Sequence, residues 1–192
     1  MTPDIDTTPP QVPTPAEEVK EGAVAIIYHS ETGHTRAIAL NAAEKIGATL
    51  IEVRPQQHYC RMGKYLQGSR KAATGQKDAV FPEEINISPF DIIIVGTPVW
   101  SQHPTPVING AVAALRGVKK GTEAILFTTC MVHAGRAATP LKEALREVGI
   151  PVQKSYVFPN RNTAGSCGTA LARGVDALQS RRKEREDAPQ NG

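Results

Sequence analysis

Short apolar runs alternate along this chain with segments in which apolar residues recur every three or four positions. The apolar runs predict five β-strands, at residues 23–28, 49–53, 91–96, 123–128 and 152–158. The segments between them have helical spacing, as at Ile38, Ala42 and Ile46 after the first run. Strands that alternate with helices favour right-handed crossovers and a parallel sheet covered on both faces. The predicted class is therefore α/β, a three-layer sandwich around a five-stranded parallel sheet.

The five runs differ in polarity, and the difference predicts their order in the sheet. The first, third and fourth runs are continuously apolar, as interior strands buried on both faces are. The second run contains Thr49 and Glu52, and the fifth contains Gln153 and Lys154, so both fit sheet edges. The order 2-1-3-4-5 satisfies this pattern and places a topological switch between strands 1 and 3. Ligands of such sheets bind at the switch, so the loops after residues 28 and 96 are the candidates.

Both ends of the chain differ in composition from its centre. Residues 1–21 are rich in proline, threonine and acidic residues, which predicts a disordered leader. Residues 22–185 hold the whole strand–helix pattern and predict one domain. Residues 186–192 predict a short disordered tail.

Composition indicates the cellular compartment and the classes of partner that the protein would meet. Apolar runs of a few residues are far too short to span a membrane, and no secretory signal is visible. Three cysteines without a CxxC motif suit a reducing cytoplasm and argue against a zinc site. The net charge is +3, but the basic residues between 181 and 185 are interrupted by acidic ones, which favours a solvated helix over a nucleic-acid-binding arm.

The loop after the first strand is suited to a phosphate group. Hydroxyl residues Ser30, Thr32 and Thr35 flank Gly33, and a predicted helix begins directly behind them. Backbone N–H groups and the helix dipole favour an anion there, and glycine lets the backbone approach it. The absence of a lysine excludes a nucleoside-triphosphate P-loop. The candidate cofactor-binding residues of this loop are Ser30, Glu31, Thr32, Gly33, His34 and Thr35.

At this point the sequence resembles the flavodoxin family, whose phosphate loop has the form Ser/Thr-x-Thr-Gly-x-Thr after the first strand. Ser30, Thr32, Gly33 and Thr35 match every fixed position, and the resemblance extends over roughly residues 24–178. It implies a flavodoxin-like fold with noncovalently bound FMN, in which the flavin supplies the chemistry and the protein sets its potential.

Two further loops are candidates for the flavin ring. Residues Thr97, Pro98, Val99, Trp100 and Ser101 look like the family's second FMN loop, and Trp100 is predicted to lie in a polar loop where it can stack on the flavin. Residues 128–136 occupy the position of the third loop. Its candidate contacts are Cys130, His133 and Gly135.

The third loop also allows a different chemistry. Cys130 and Arg136 form a Cys-x5-Arg spacing between a strand and a helix, which is the spacing of a thiolate nucleophile and phosphate clamp in some phosphatases. Ala137 stands where those enzymes usually have Ser or Thr, and no general-acid aspartate is evident. A phosphatase is therefore the minor alternative.

The resemblance leaves three functions open. The first is an electron carrier that meets redox partner proteins, as a monomer or weak dimer. The second is an NAD(P)H-dependent FMN or quinone oxidoreductase, and the third is a scaffold that has lost its cofactor. Because familiar flavodoxins are acidic whereas this chain is mildly basic with histidines in the three loops, we expect acidic partners or a less negative flavin potential.

Overall fold

Strands and helices alternate along the chain in the way that its apolar spacing predicts. The structure, a computed structural model, describes residues 23–56, 69–131, 133 and 135–187. The elements in chain order are β1 (Val24–Tyr28), α1 (His34–Ile46), β2 (Thr49–Glu52), β3 (Arg54–Pro55), α2 (Ser69–Ala73), β4 (Val80–Phe81), β5 (Ile85–Asn86), β6 (Ile92–Trp100), β7 (His103–Pro104), α3 (Pro106–Ala113), β8 (Leu115–Arg116), β9 (Glu123–Cys130), α4 (Ala138–Glu147), β10 (Val152–Pro159) and α5 (Ala164–Asp187).

Five parallel strands form the main sheet in the order β2-β1-β6-β9-β10. Numbered by the five predicted runs, this order is 2-1-3-4-5, so the predicted topology is confirmed. Ile27 pairs with Ile51 on one side and with Val95 on the other, and Val95 pairs in turn with Leu126. The sixth strand of the sheet, β7, is short and antiparallel to the end of β6.

The polarity of each strand matches its place in the sheet. Every residue of β1 and β9 is buried, whereas no residue of β2 is, and β10 has one buried position. Alternate side chains of the interior strands enter two separate cores because a strand has a period of two. Ile27 and Val95 pack in the core with α3 and α4, while Ile26 and Ile94 pack in the core with α1 and α5.

The segment after Gly96 is a strand and hairpin where the sequence predicts a loop. β6 continues to Trp100, and a two-residue turn of Ser101 and Gln102 leads into β7. Both turn residues have positive φ, 46° and 65°, which is the backbone conformation that joins the strands of a tight hairpin. The prediction that Trp100 lies in a polar loop is therefore wrong, since the residue ends a strand.

The C-terminal helix is tied to the edge of the sheet where the parallel strands begin. Arg185 donates to both carboxylate oxygens of the buried Glu123 at 3.2 Å, and Arg182 lies 3.5 Å from Asp91. Glu186 and Asp187, placed in the tail by the sequence, are the last residues of α5. The predicted leader and residues 188–192 lie outside the described residues. Within the described ranges, none of the helices combines the length and apolar character that a membrane span needs.

Candidate functional site

The candidate site lies at the edge of the sheet where the parallel strands end. α1 follows β1 and packs with α5 on one face, while α3 follows β6 and packs with α4 on the other. The connections that leave these two adjacent strands therefore run to opposite faces of the sheet, which opens a crevice between them. The loops after β1, β6 and β9 meet there.

The first loop presents the start of α1 without a side-chain cap. Gly33 holds the N-cap position in the left-handed conformation, with φ 90°, and among the described residues no side chain caps the first turn. A Cβ on Gly33 would meet nothing within 4 Å, so its backbone, not crowding, requires glycine. Ser30 Oγ accepts the Gly33 N–H at 3.2 Å and closes the loop. The amide donors of the first helical turn are thus left for an anion.

The hydroxyl residues of this loop have different environments. Thr32 and His34 are exposed, whereas Thr35 is 1% exposed. Thr35 Oγ1 lies 2.8 Å from Thr129 Oγ1, which belongs to β9. A cavity of about 30 Å³, enough for one water molecule, is lined by Thr129 together with His34 and Ile38 of α1. Thr35 therefore joins the first loop to the strand that leads into the third.

The beginning of the second loop is held by threonines. Thr97 Oγ1 donates to the Pro98 carbonyl at 2.9 Å and accepts the Thr105 N–H at 3.3 Å. Thr105 Oγ1 caps α3 by accepting the Ile108 N–H at 3.4 Å. Because Thr97 is fully buried, its side chain fixes the base of the hairpin, and the exposed Ser101 and half-buried Val99 and Trp100 form its outer part.

The third loop is attached to this hairpin. The Arg136 N–H donates to the Gln102 carbonyl at 3.1 Å. Gly135, with φ 54°, lies so close that a Cβ on it would be 2.4 Å from Gln102 Cβ. His133 is exposed, and Cys130 at the end of β9 is 5% exposed. The second and third loops therefore form one surface.

One of the histidines that the sequence places in the three loops is buried at the root of the first loop. His29 is 4% exposed, and its Nδ1 lies 2.9 Å from the Val53 carbonyl oxygen. Its Nε2 lies 3.2 Å from Glu31 Oε1. His29 thus links the loop to the end of β2 and places Glu31 against the sheet.

A second cluster of polar side chains surrounds Glu52. Arg36 and Arg54 both donate to Glu52 at the end of β2. Burial of Glu52 alone would raise the pKa of its carboxyl, but these hydrogen bonds outweigh burial and hold that pKa below its usual range. Burial, with Glu52 nearby, raises the pKa of Tyr28. The first turn of α1 is therefore fastened to β2.

The environment of Cys130 does not favour a nucleophile. Burial raises the pKa of its thiol, and the positive charge of Arg161 only partly opposes this. A phosphatase cysteine needs the opposite shift, because its thiolate is the reactive form. In the part of the chain that the structure describes, no three His, Cys, Asp or Glu side chains come together as a metal site.

The three predicted loops converge, although not every predicted residue faces the crevice. Ser30, Thr32, Gly33 and His34 surround the start of α1, Thr35 is buried within its first turn, and Thr97 is a buried support. Sequence reasoning missed two supports, Thr129 and Thr105. Their only sequence signal is that each stands close to the end of a strand at this edge.

Comparisons with known proteins agree with this geometry. A family model described as Flavodoxin matches residues 23–154. Among curated proteins, none matches the chain. The chain is similar in structure to a protein assigned as a flavoprotein from Bacteroides uniformis ATCC 8492, with 21% identity and a TM-score of 0.68, over 79% of this chain and 99% of that one.

Two other solved structures have the same fold. One is assigned as a flavoprotein from Bacteroides eggerthii DSM 20697, with 20% identity and a TM-score of 0.64, over 81% of this chain and 99% of that one. The other is a flavoprotein from Lactobacillus acidophilus NCFM in complex with FMN, with 21% identity and a TM-score of 0.56, over 71% and 93% of the two chains. Because the family model matches more than half of the chain, this chain belongs to the flavodoxin family.

Proposed function

We propose that this protein binds one FMN at the carboxyl edge of its sheet and carries electrons between partner proteins. The observation that carries the proposal is the first loop, where Gly33 starts α1 with no side-chain cap and hydroxyls of Ser30 and Thr32 flank the free amides. Neutral donors of this kind suit a phosphate monoester that is bound and not transferred. The relative from Lactobacillus acidophilus was solved with FMN, which supports the same ligand here.

Each loop has its own task in this proposal. The first-turn amides of α1, with Ser30, Thr32 and Thr35, would hold the phosphate, and residues 97–101 together with Cys130, His133 and Gly135 would hold the ring. When bound, FMN supplies reversible one- and two-electron chemistry, while the protein provides orientation and electrostatics. Thr97 and Thr105 keep the hairpin in place, and the bond from Arg136 to Gln102 keeps the third loop beside it.

An exposed methionine at the rim of the candidate site favours the carrier over a substrate-converting enzyme. Met131 is 84% exposed and directly follows β9, in the loop whose Arg136 N–H donates to the Gln102 carbonyl of the hairpin. An apolar side chain in the open can contact the surface of another protein, whereas a small substrate is usually enclosed by its site.

The charge of the same rim favours acidic partners. Arg136, Arg161 and His133 lie in the loops after the parallel strands, and His103 lies in β7 of the hairpin. In the described parts of these loops (29–33, 101–105, 131, 133, 135–137 and 160–163) the one acidic residue is Glu31, which is paired with His29. Complementary charge would speed encounter with an acidic protein.

A visible spectrum of the purified protein, before and after added FMN, tests cofactor binding. We expect oxidised-flavin absorbance that is weakened in the Thr32→Ala/Thr35→Ala double variant and retained in Thr139→Ala, a control on the exposed surface of α4. A protein that takes up no FMN would contradict the proposal.

Steady-state kinetics of the FMN-loaded protein distinguish the carrier from the reductase. If the protein is a carrier, we expect negligible consumption of NADH or NADPH with benzoquinone as acceptor. We also expect the chemically reduced protein to exchange electrons rapidly. Sustained NAD(P)H turnover would instead support an oxidoreductase of the same fold.

A further inference from the structure

A fourth loop, which follows β10, borders the candidate site. It comprises residues 160–163 and joins β10 to α5. The Asn160 N–H donates to the Cys130 carbonyl at 2.8 Å, which attaches the loop to the end of β9. At the other end of the loop, Thr163 Oγ1 accepts the Ser166 N–H at 3.2 Å. The backbone of this loop is therefore held at the same edge of the sheet as the three predicted loops.

The loop after β10 lies beside the first loop. The cavity of about 30 Å³ at the start of α1 is lined by Asn160 and Asn162 of the loop after β10. His34 of α1 and Thr129 of β9 line the same cavity. Thr129 is also the hydrogen-bond partner of Thr35 in the first loop. The two loops are therefore neighbours across a cavity of water size.

The first loop has no lysine or arginine of its own. Residues 29–35 contain neither, and their one acidic residue is Glu31. Arg36, which follows in α1, donates through Nε and Nη2 to Glu52. A phosphate monoester carries about −1.5 to −2 charges near pH 7, and hydrogen bonds from a cation stabilise such charge more than those from neutral donors do. A cation from elsewhere in the fold would therefore strengthen the binding of a phosphate at this loop.

Arg161 brings a positive charge to this part of the site. It lies in the middle of the loop after β10, is exposed, and forms no ion pair with any of the described residues. Burial raises the pKa of the Cys130 thiol, and the positive charge of Arg161 opposes that rise. The charge therefore acts at the end of β9, one residue after Thr129, whose hydroxyl is bonded to Thr35.

We propose that Arg161 is a specificity-determining residue, whose positive charge makes the site select a phosphate-bearing flavin over one without phosphate. The inference rests on the proposed function and deepens it, because it assigns the recognition of charge to a loop outside the three that the sequence predicts. At physiological ionic strength a charge acts over about 8 Å, so no direct contact with the phosphate is required. The hydrogen bonds of Asn160 and Thr163 hold the loop in position for this task.

Binding of FMN and of riboflavin to the full chain tests the proposal, because the phosphate is the only difference between the two ligands. We expect Arg161→Gln to lower the preference for FMN about three- to tenfold and to leave the affinity for riboflavin unchanged. Arg161→Lys should retain most of the preference, because it keeps the charge. Arg173→Gln, which removes an exposed charge from α5, is the matched control and should bind both ligands as the wild type does. An unchanged preference in Arg161→Gln would overturn the proposal.

Salt distinguishes an effect of charge from an effect on structure. Between about 0.02 and 0.5 M salt, the preference of the wild-type protein for FMN should fall, and that of Arg161→Gln should fall less. Arg136→Gln removes an exposed charge from the loop that is attached to the hairpin, and it should keep the wild-type preference. The same salt dependence in the wild type and Arg161→Gln, or an equal loss of preference in Arg136→Gln, would contradict the assignment to Arg161.

Inorganic phosphate separates this inference from cofactor binding. In the flavin-free protein, we expect phosphate to shift the backbone amide NMR signals of the first turn of α1, with an affinity that Arg161→Gln lowers about threefold or more. If FMN fails to bind, the proposed function is refuted, and the phosphate titration then decides on Arg161. Equal phosphate affinity in both proteins, or binding to neither, would in that case refute the role of Arg161 too.

Discussion

Two threonine hydroxyls show how one residue of the phosphate motif depends on another outside it. Thr35 and Thr129 lie 2.8 Å apart through their Oγ1 atoms, and both are buried. A hydroxyl donates one hydrogen bond and accepts two. If Thr129 donates to Thr35, the proton of Thr35 remains available for an anion in the loop.

Replacing Thr129 by valine tests this dependence while nearly preserving shape. We expect Thr129→Val to weaken FMN binding about three- to tenfold, because Thr35 loses its partner and a buried hydrogen bond. Fluorescence titration with FMN measures the change. The matched control is Thr128→Val, whose hydroxyl donates at 3.4 Å to the Tyr156 carbonyl on the other side of β9. Equal loss of affinity in both variants would argue that the effect is general to the strand.

The residues of the site were predictable from sequence where a local motif marks them. Ser30, Thr32, Gly33 and Thr35 have such a motif, since a loop between a strand and a helix uses neighbours along the chain. Thr129 has none, because its role arises from β9 passing beside the start of α1. His29 could not be assigned either, as its partners include the backbone of Val53.

At the scale of elements, the close packing of β6 on β9 depends on a residue without a side chain. Gly96 pairs with Phe127 across the two strands, and a Cβ on Gly96 would lie 2.3 Å from a ring carbon of that phenylalanine. The ring of Phe127 is fully buried.

We expect Gly96→Ala to destabilise the fold by about 1–3 kcal/mol through overpacking. Chemical denaturation gives the free energy of unfolding directly. Gly165→Ala is the matched control, because Gly165 lies in α5, has no neighbour within 4 Å of an added Cβ and should be neutral or slightly stabilising. A stable Gly96→Ala variant would show that Phe127 can move aside.

The attachment of α1 to β2 through Glu52 should give stability an acid-sensitive component. The folded-state pKa of this carboxyl is lowered, so the contribution is complete above about pH 4.3, the usual value for glutamate, and is lost as the pH falls below it. We expect Glu52→Gln to lower the melting temperature at pH 7 and to flatten its decline toward pH 3. Glu143→Gln, exposed on α4, serves as the control and should keep the wild-type decline.

The length of an element determined whether the sequence could predict it. The five long strands have enough residues to show polarity, so their order was correct, including the edge positions of β2 and β10. Each strand of the pairs β3–β4 and β5–β8 has two residues, which is too few to show alternation of apolar and polar positions. These two pairs were therefore missed. The hairpin of β6 and β7 was missed because its turn of Ser101 and Gln102 contains no glycine.

For the whole molecule, charge is arranged differently at the two ends of the sheet. Where the parallel strands begin, Asp91 and Glu123 are matched by Lys119, Arg182 and Arg185. Where they end, Arg136 and Arg161 are exposed at the rim around the candidate site. A net charge of +3 therefore understates the potential that a redox partner would meet at this rim.

Small oxidants of opposite charge can measure that potential. The chemically reduced, FMN-loaded protein should react with anionic ferricyanide at a rate that falls as salt is added, and with a cationic cobalt(III) complex at a rate that rises. Arg136→Glu/Arg161→Glu should diminish or reverse both trends, whereas Arg173→Glu, exposed on α5, should alter them little. Salt dependence of the same sign for both oxidants would contradict a basic rim.

The hydrogen bond from Arg136 N–H to the Gln102 carbonyl constrains how the site can diverge in evolution. Because Gly135 has space only for hydrogen against Gln102, a side chain at position 135 or a change in the length of either loop would displace the other loop. Relatives that diverge at this edge should therefore exchange the hairpin and the segment after β9 as a unit. A chimera that carries the hairpin alone from a distant relative should lose flavin, and one that carries both segments should regain it.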